Sequence, residues 1–194
     1  SGLAQKGGAV LSHVRVSRTP DEVAAAQIVT GEADLLMAAD TVVAASKDGI
    51  VLMSPDRTRA ILNTHLAPVS GFVFNRDFDF RETDIVRTIE KQDSGETLRL
   101  DFGKLAEKVC GDTIATNIMM VGYAAQKGLL PVSVRSLERA IELNGVSVAA
   151  NKLAFGWGRR FAEHPSEAAG LLTADDAGGI EPASLEDIIE RRAA

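Results

Sequence analysis

The feature that most constrains the fold is a short apolar run, an interval of crossover length and a second short run. Leu35–Ala39 suits a buried parallel strand, because a strand covered on both faces reads as a continuous apolar stretch. Asp40 follows as a helix N-cap, and Thr41–Met53 as a helix weakened by Gly49. Ser54-Pro55-Asp56 turns the chain, and Arg59–Asn63 is the next strand. Parallel strands need a crossover of about a dozen residues or more, and Thr41–Met53 supplies one. The spacing therefore predicts that Leu35–Ala39 and Arg59–Asn63 are neighbouring parallel strands.

The remaining pattern extends this unit. Arg81–Gln92 reads as an amphipathic helix with Ile85, Val86 and Ile89 inward, broken at Asp93-Ser94-Gly95, and Leu98–Phe102 as a further strand. Near the start, Ala9–Val16 alternates as a strand does. Val10, Ser12, Val14 and Val16 fall on one side, and Leu11, His13 and Arg15 on the other. The back half reads as helical. Phe102–Cys110 is short. Thr113–Lys127 carries a stripe of Ile114, Ile118, Val121 and Ala125 and stops at Gly128. Ser133–Leu143 turns Leu137, Ala140 and Ile141 inward, and Val146–Glu163 does the same with Ala150, Leu153, Trp157 and Phe161. His164 to Pro182 reads as a linker rich in Ala, Gly and acids, before a last helix, Leu185–Arg192, opened by Ser184-Leu185-Glu186-Asp187.

Strand, helix, strand, helix and a helical tail predict an α/β chain: a three-layer Rossmann-like domain with a mostly parallel sheet and a helical C-terminal half. Three or four strands are few for so many helices. N-terminal strands are therefore expected to be missing, and both ends of the chain read as cut into. The expected division is a partial domain over 1–163, then a linker and terminal helix over 164–194.

Composition narrows the chemistry. With 194 residues, 45% hydrophobic and 25% charged, the chain is one ordinary globular domain. A net charge of −6 leaves no general nucleic-acid footprint, no apolar run reaches membrane-span length, and no signal segment opens the chain, so a cytoplasmic setting is expected. A lone Cys110 excludes an internal disulfide and a thiolate-held cluster built from this chain alone; it reads as a buried thiol on an apolar-flanked helix. His13, His65 and His164 are far apart and have no paired-ligand spacing, so no metal site is expected.

The candidate binding residues gather at predicted strand ends and helix starts. Asn63-Thr64-His65 follows a strand's C-terminal end, where open α/β sheets bind ligands; His65 there is either a hydrogen-bond donor to a ligand or a loop histidine capping backbone. Thr113, Thr116 and Asn117 stand at a helix start, where free N–H groups favour an anion; Asp112 or Thr113 as a plain N-cap is the alternative. Asn117 interrupts an apolar stripe, so its carboxamide needs a partner. Gly2, Gly7 and Gly8 beside Lys6 either cradle a phosphate or simply make a turn. His13 and Arg15 share a strand side, and meet either a ligand carboxylate or solvent. Trp157 reads as core, and Arg159-Arg160 as a solvated face.

At these residues a family resemblance sets in. Gly2-Leu3-Ala4-Gln5-Lys6-Gly7-Gly8-Ala9-Val10 followed by Ser12-His13-Val14-Arg15 resembles the gamma domain of 2-oxoacid:ferredoxin oxidoreductases. Gly31-Glu32-Ala33-Asp34-Leu35-Leu36 is similar to that domain's acidic lead into a strand. Four further stretches resemble the long fused bacterial indolepyruvate ferredoxin oxidoreductases: Asn63–Pro68, Gly111–Asn117, Ala140–Val146, and Asn151-Lys152 with Ala154–Arg160. The likeness runs to about Arg160. The family's opening strand, Gly-rich loop, helix and second strand have no counterpart here, nor do its thiamine and cysteine-rich motifs; Gly111-Asp112 lacks the second glycine of a thiamine-binding Gly-Asp-Gly.

The resemblance implies a parent enzyme that oxidatively decarboxylates aryl pyruvates with coenzyme A and reduces ferredoxin. Thiamine diphosphate, magnesium and iron–sulfur clusters would sit on other segments. This domain would help bind coenzyme A, through Asn117, Thr113, Thr116, Asn63, Thr64, His65 and Lys6, and would pack against the remaining domains or subunits in an oligomer. This chain alone would be inactive. The competing expectations are a stand-alone coenzyme A or nucleotide module and a purely structural interface domain.

Overall fold

In the computed structural model the described residues are 10–23, 25–64 and 82–173. Lys6, His65 and the expected helix at 185–192 lie outside them. Three strands form one parallel sheet in the order β1 (Leu35–Ala38), β2 (Arg59–Asn63), β3 (Leu98–Leu100). The expected pairing of the first two strands holds, with Leu35 opposite Arg59 and Ala38 opposite Leu62. Ile61 stands opposite Leu98, and Asn63 opposite Leu100.

Period-2 alternation along these strands divides the interior into two layers of packing. On one face Leu35, Met37, Ile61, Leu98 and Leu100 meet α4 (Phe102–Cys110), α5 (Thr116–Gln126), α7 (Val148–Glu163) and α8 (Pro165–Thr173). Phe102, Leu105, Met119, Met120 and Phe161 fill the space between, and Phe102 meets the Tyr123 ring edge-on at 5.2 Å. On the other face Leu36, Ala38, Ala60 and Leu62 meet Ala44 of α1 (Thr41–Ala44), Ile50 of α2 (Lys47–Ile50), Met53, and Val86 and Ile89 of α3 (Glu82–Glu90). A sheet covered on both faces is the three-layer α/β architecture that the strand–helix order predicted. The helical C-terminal half also stands, completed by α6 (Val134–Asn144).

Buried polar side chains fix the loops to the sheet. Asp93, its side chain fully buried, accepts from Ala60 N–H at 3.0 Å, Gly95 N–H at 2.9 Å and Arg59 Nε at 3.2 Å. It clamps the turn after α3 to β2. Thr58, also buried, accepts from Ser54 N–H and donates to the Ala33 carbonyl at 2.7 Å. Both of these buried side chains are satisfied, whereas Thr97 Oγ1 is buried with no hydrogen-bond partner among the described residues.

Five expectations are corrected. The helix at Thr41–Met53 is two short helices, because Ser46 Oγ accepts from Gly49 N–H and starts a second one. Gly49 folds that turn back so closely that a Cβ there would run into the Ala44 carbonyl. No strand forms at Ala9–Val16 among its described residues. The segment from Val10 has no regular structure, and His13 and Arg15 reach across to residues 27–28 instead of a neighbouring strand. On α5 the buried face is Thr116, Met119, Met120, Tyr123 and Ala124, while Ile114 before it is 83% exposed. On α7 the buried residues are Ala154, Phe155, Gly158, Phe161 and Ala162; Ala150 and Leu153 face out, as Ala140 does on α6.

One cause turns both α5 and α7. The two helices meet through glycine: a Cβ on Gly122 would strike the Phe155 carbonyl, and one on Gly158 the Met119 carbonyl. Backbones this close turn the glycine-bearing faces inward and displace the expected stripes. The fifth correction is α8, which occupies part of the expected linker. Ala168 buries its methyl, and Lys104 and Lys108 of α4 donate to the carbonyls of Leu172 (3.3 Å) and Leu171 (2.6 Å). Cations on the last carbonyls of a helix oppose its dipole favourably.

Candidate functional site

The candidate residues fall into two groups, one at each end of α4. The first is at the C-terminal end of β2. Asn63 is buried, and its carboxamide is bonded at both ends: Nδ2 donates to the Ala39 carbonyl at 3.1 Å, and Oδ1 accepts from Gly103 N–H at 3.2 Å. Its own carbonyl accepts from Thr41 Oγ1 at 2.7 Å. Asn63 thus ties β2 to the segment entering α1 and to the start of α4. Thr64 follows, half-buried, its N–H on the Leu100 carbonyl at 3.0 Å.

Helix N-termini at this edge would be anion sites if their N–H groups were free. Here the chain's own carboxylates take them. Asp40 Oδ1 accepts from Val42 and Val43 N–H, and Asp101 Oδ1 accepts from Lys104 N–H at 2.7 Å. The edge therefore presents two carboxylates near Asn63. Asp40 was legible as a cap from its place before a helix. Asp101 was not, because the strand expectation ran through it to Phe102; an Asp directly before a helical run was the available signal.

The second group lies past the other end of α4, where Gly111 takes a left-handed φ of 80° and lets the chain turn. Asp112 Oδ1 accepts from Ile114 N–H at 2.9 Å, so this start is capped as well. Thr116 is buried and its hydroxyl donates to the Thr113 carbonyl at 2.5 Å. Thr113 is exposed. Asn117 is exposed too, which corrects the expectation that it lies in a buried stripe; α5 is turned by its glycine contact, and no hydrogen bond among the described residues reaches its carboxamide. The nine residues of α4, about 13 Å long, lie between the two groups.

Other sequence candidates resolve plainly. Cys110 is half-buried, and burial pushes its thiol up, away from the reactive thiolate. Trp157 packs on Phe161 at 5.4 Å with the Arg160 guanidinium 5.5 Å over its ring, and Arg160 pairs with Glu167 at 2.7 Å. Arg159 donates to Gln126 at 3.0 Å, across the α5–α7 contact. Among the described residues no three His, Cys, Asp or Glu side chains stand close enough to hold a metal ion, and no helix is long and apolar enough to cross a membrane.

A parallel sheet covered on both faces, with candidate side chains at its carboxyl edge, defines an α/β domain of the Rossmann-like class. The chain belongs to the pyruvate ferredoxin/flavodoxin oxidoreductase family, whose model matches residues 1–161. It is similar to the indolepyruvate oxidoreductase subunit IorB of Pyrococcus horikoshii, with 26% identity over 170 residues, covering 84% of this chain and 78% of the relative. No solved structure is significantly similar to it.

Proposed function

We propose that the chain is the gamma-type part of a 2-oxoacid:ferredoxin oxidoreductase acting on aryl pyruvates, and that it contacts coenzyme A and packs against the parts that carry out the chemistry. The observation that carries this reading is the family match over residues 1–161, joined by a relative named as an indolepyruvate oxidoreductase subunit. Thiamine diphosphate supplies the electron sink for decarboxylation and iron–sulfur clusters carry single electrons. With one cysteine, this chain has no four-thiolate set for such a cluster, so that chemistry belongs to partner segments.

Within that reading, the exposed Asn117 carboxamide meets the amides of the pantetheine arm, because it can both donate and accept. Thr113 flanks it, and Thr64 with His65 and Lys6 serve the phosphate end. Asn63 and Thr116 hold the backbone in place, since their polar atoms are engaged within the chain. One observation favours a second reading, a domain that only holds subunits together: the starts of α1 and α4 and the turn before α5 are already capped by Asp40, Asp101 and Asp112.

The test is Asn117→Ala in the assembled enzyme, with steady-state kinetics for both substrates. The coenzyme A reading requires KM for coenzyme A to rise about tenfold, the loss of roughly 1.4 kcal/mol of hydrogen bonding, while KM for the 2-oxoacid stays. Unchanged kinetics with an intact assembly favours the structural reading.

A further inference from the structure

The Ser12-His13-Val14-Arg15 stretch has no part in the function proposed above, and its geometry is specific. His13 Nδ1 accepts a hydrogen bond from the Ile28 backbone N–H at 3.0 Å. Two residues on, Arg15 Nη1 donates to the Gln27 carbonyl at 3.1 Å. These adjacent bonds join residues 10–17 to residues 27–28, across a loop that holds the short turn Pro20–Glu22. No backbone hydrogen bond among the described residues reaches 10–16, and Val10, Val14 and Val16 stand 77%, 76% and 56% exposed. The attachment therefore depends on side chains, and one of them is an imidazole.

We propose that His13 is a proton-operated latch that holds the 10–17 segment against residues 27–28. An imidazole nitrogen accepts a hydrogen bond only through its lone pair, so Nδ1 accepts from Ile28 only while the ring is neutral. Protonation places a hydrogen on Nδ1, and two N–H groups then face each other. The facing stretch from Ala25 to Gly31 carries no titratable side chain, so nothing there compensates the new charge. The charged neighbour on the histidine's own segment is Arg15, a second cation already directed at Gln27. The latch is therefore closed while the ring is neutral and opens when the ring takes up a proton. Opening frees the exposed valines together with the backbone donors and acceptors beside them.

The experiment uses the whole 194-residue chain. The exchange protection of the Ile28 amide is measured by NMR from pH 8 to pH 5, beside the 15N shifts of the His13 ring. Protection is expected to fall about fivefold as His13 titrates, with Nδ1 unprotonated at pH 8. His13→Gln keeps an acceptor that does not titrate, and its Ile28 protection should stay flat over the same range. The proposal is overturned if Ile28 protection does not follow the His13 titration, if His13→Gln loses protection in parallel with the native chain, or if Nδ1 already carries the proton at pH 8. The ring shifts decide the matter even if the variant fails to fold.

Discussion

Asn63 and Asn117 are the same side chain in opposite situations. Asn63 is buried with its carboxamide bonded at both ends, so Asn63→Ala leaves the Gly103 N–H and the Ala39 carbonyl unpaired. The expected loss is about 2–4 kcal/mol, read as a lower melting temperature. Asn117→Ala removes an exposed group that no hydrogen bond among the described residues reaches, so stability should stay within about 0.5 kcal/mol. A kinetic change in that variant then reports on a ligand and not on folding. Glu142 gives a residue-scale pH test. Lys152 and Arg139 hold its carboxyl down to about 2. A depressed acid contributes stability that is present above the usual glutamate range and is lost as pH falls towards 2. Glu142→Gln should therefore lower the melting temperature slightly at pH 6, and the difference from the native chain should close as the pH approaches 2. Asn63 was legible as a residue at a strand's end. Its role as a bracket was not, because both of its partners, Ala39 and Gly103, are backbone groups that no side-chain pattern marks.

At the scale of elements, the strands were the most legible part. β2 spans the expected residues and β1 lacks only Ala39, since short apolar runs between turn signals leave little freedom. The buried faces of α5 and α7 are not legible from a stripe of large apolar residues, because their contact runs through glycine. Two glycines on α7 separate these effects. Gly158→Ala should destabilise the chain by about 3 kcal/mol, since its methyl would press on the Met119 carbonyl. Gly156→Ala, two residues away, meets nothing within 4 Å and should stabilise by up to about 1 kcal/mol through helix propensity. Thermal or urea unfolding of the two variants checks both signs. The expected strand at Ala9–Val16 does not form among its described residues, because alternation shows only that a strand is possible; a partner must supply the other half of the ladder.

For the whole molecule, the family match and the single cysteine together set the expected activity of the isolated chain. It should not reduce ferredoxin or a viologen dye with an aryl pyruvate and coenzyme A, and activity should return when its partner segments are restored. Turnover by the purified chain alone would remove the proposed division of labour. What the sequence conveyed at this scale was the layered architecture and the family. The placement of the two candidate groups at opposite ends of α4 emerged only with the structure, since it depends on which way that helix runs from β3.

The glycine contact between α5 and α7 also bears on how the molecule answers pressure. Where carbonyls and helix backbones meet with no side chain between them, there is little empty volume for water to claim on opening. Pressure favours states that eliminate voids, so this seam should be among the last parts to yield. The first losses in a high-pressure NMR series should fall on contacts made through side chains, such as those of Val86 and Ile89 beneath α3, while the amides of Gly122 and Gly158 keep their shifts.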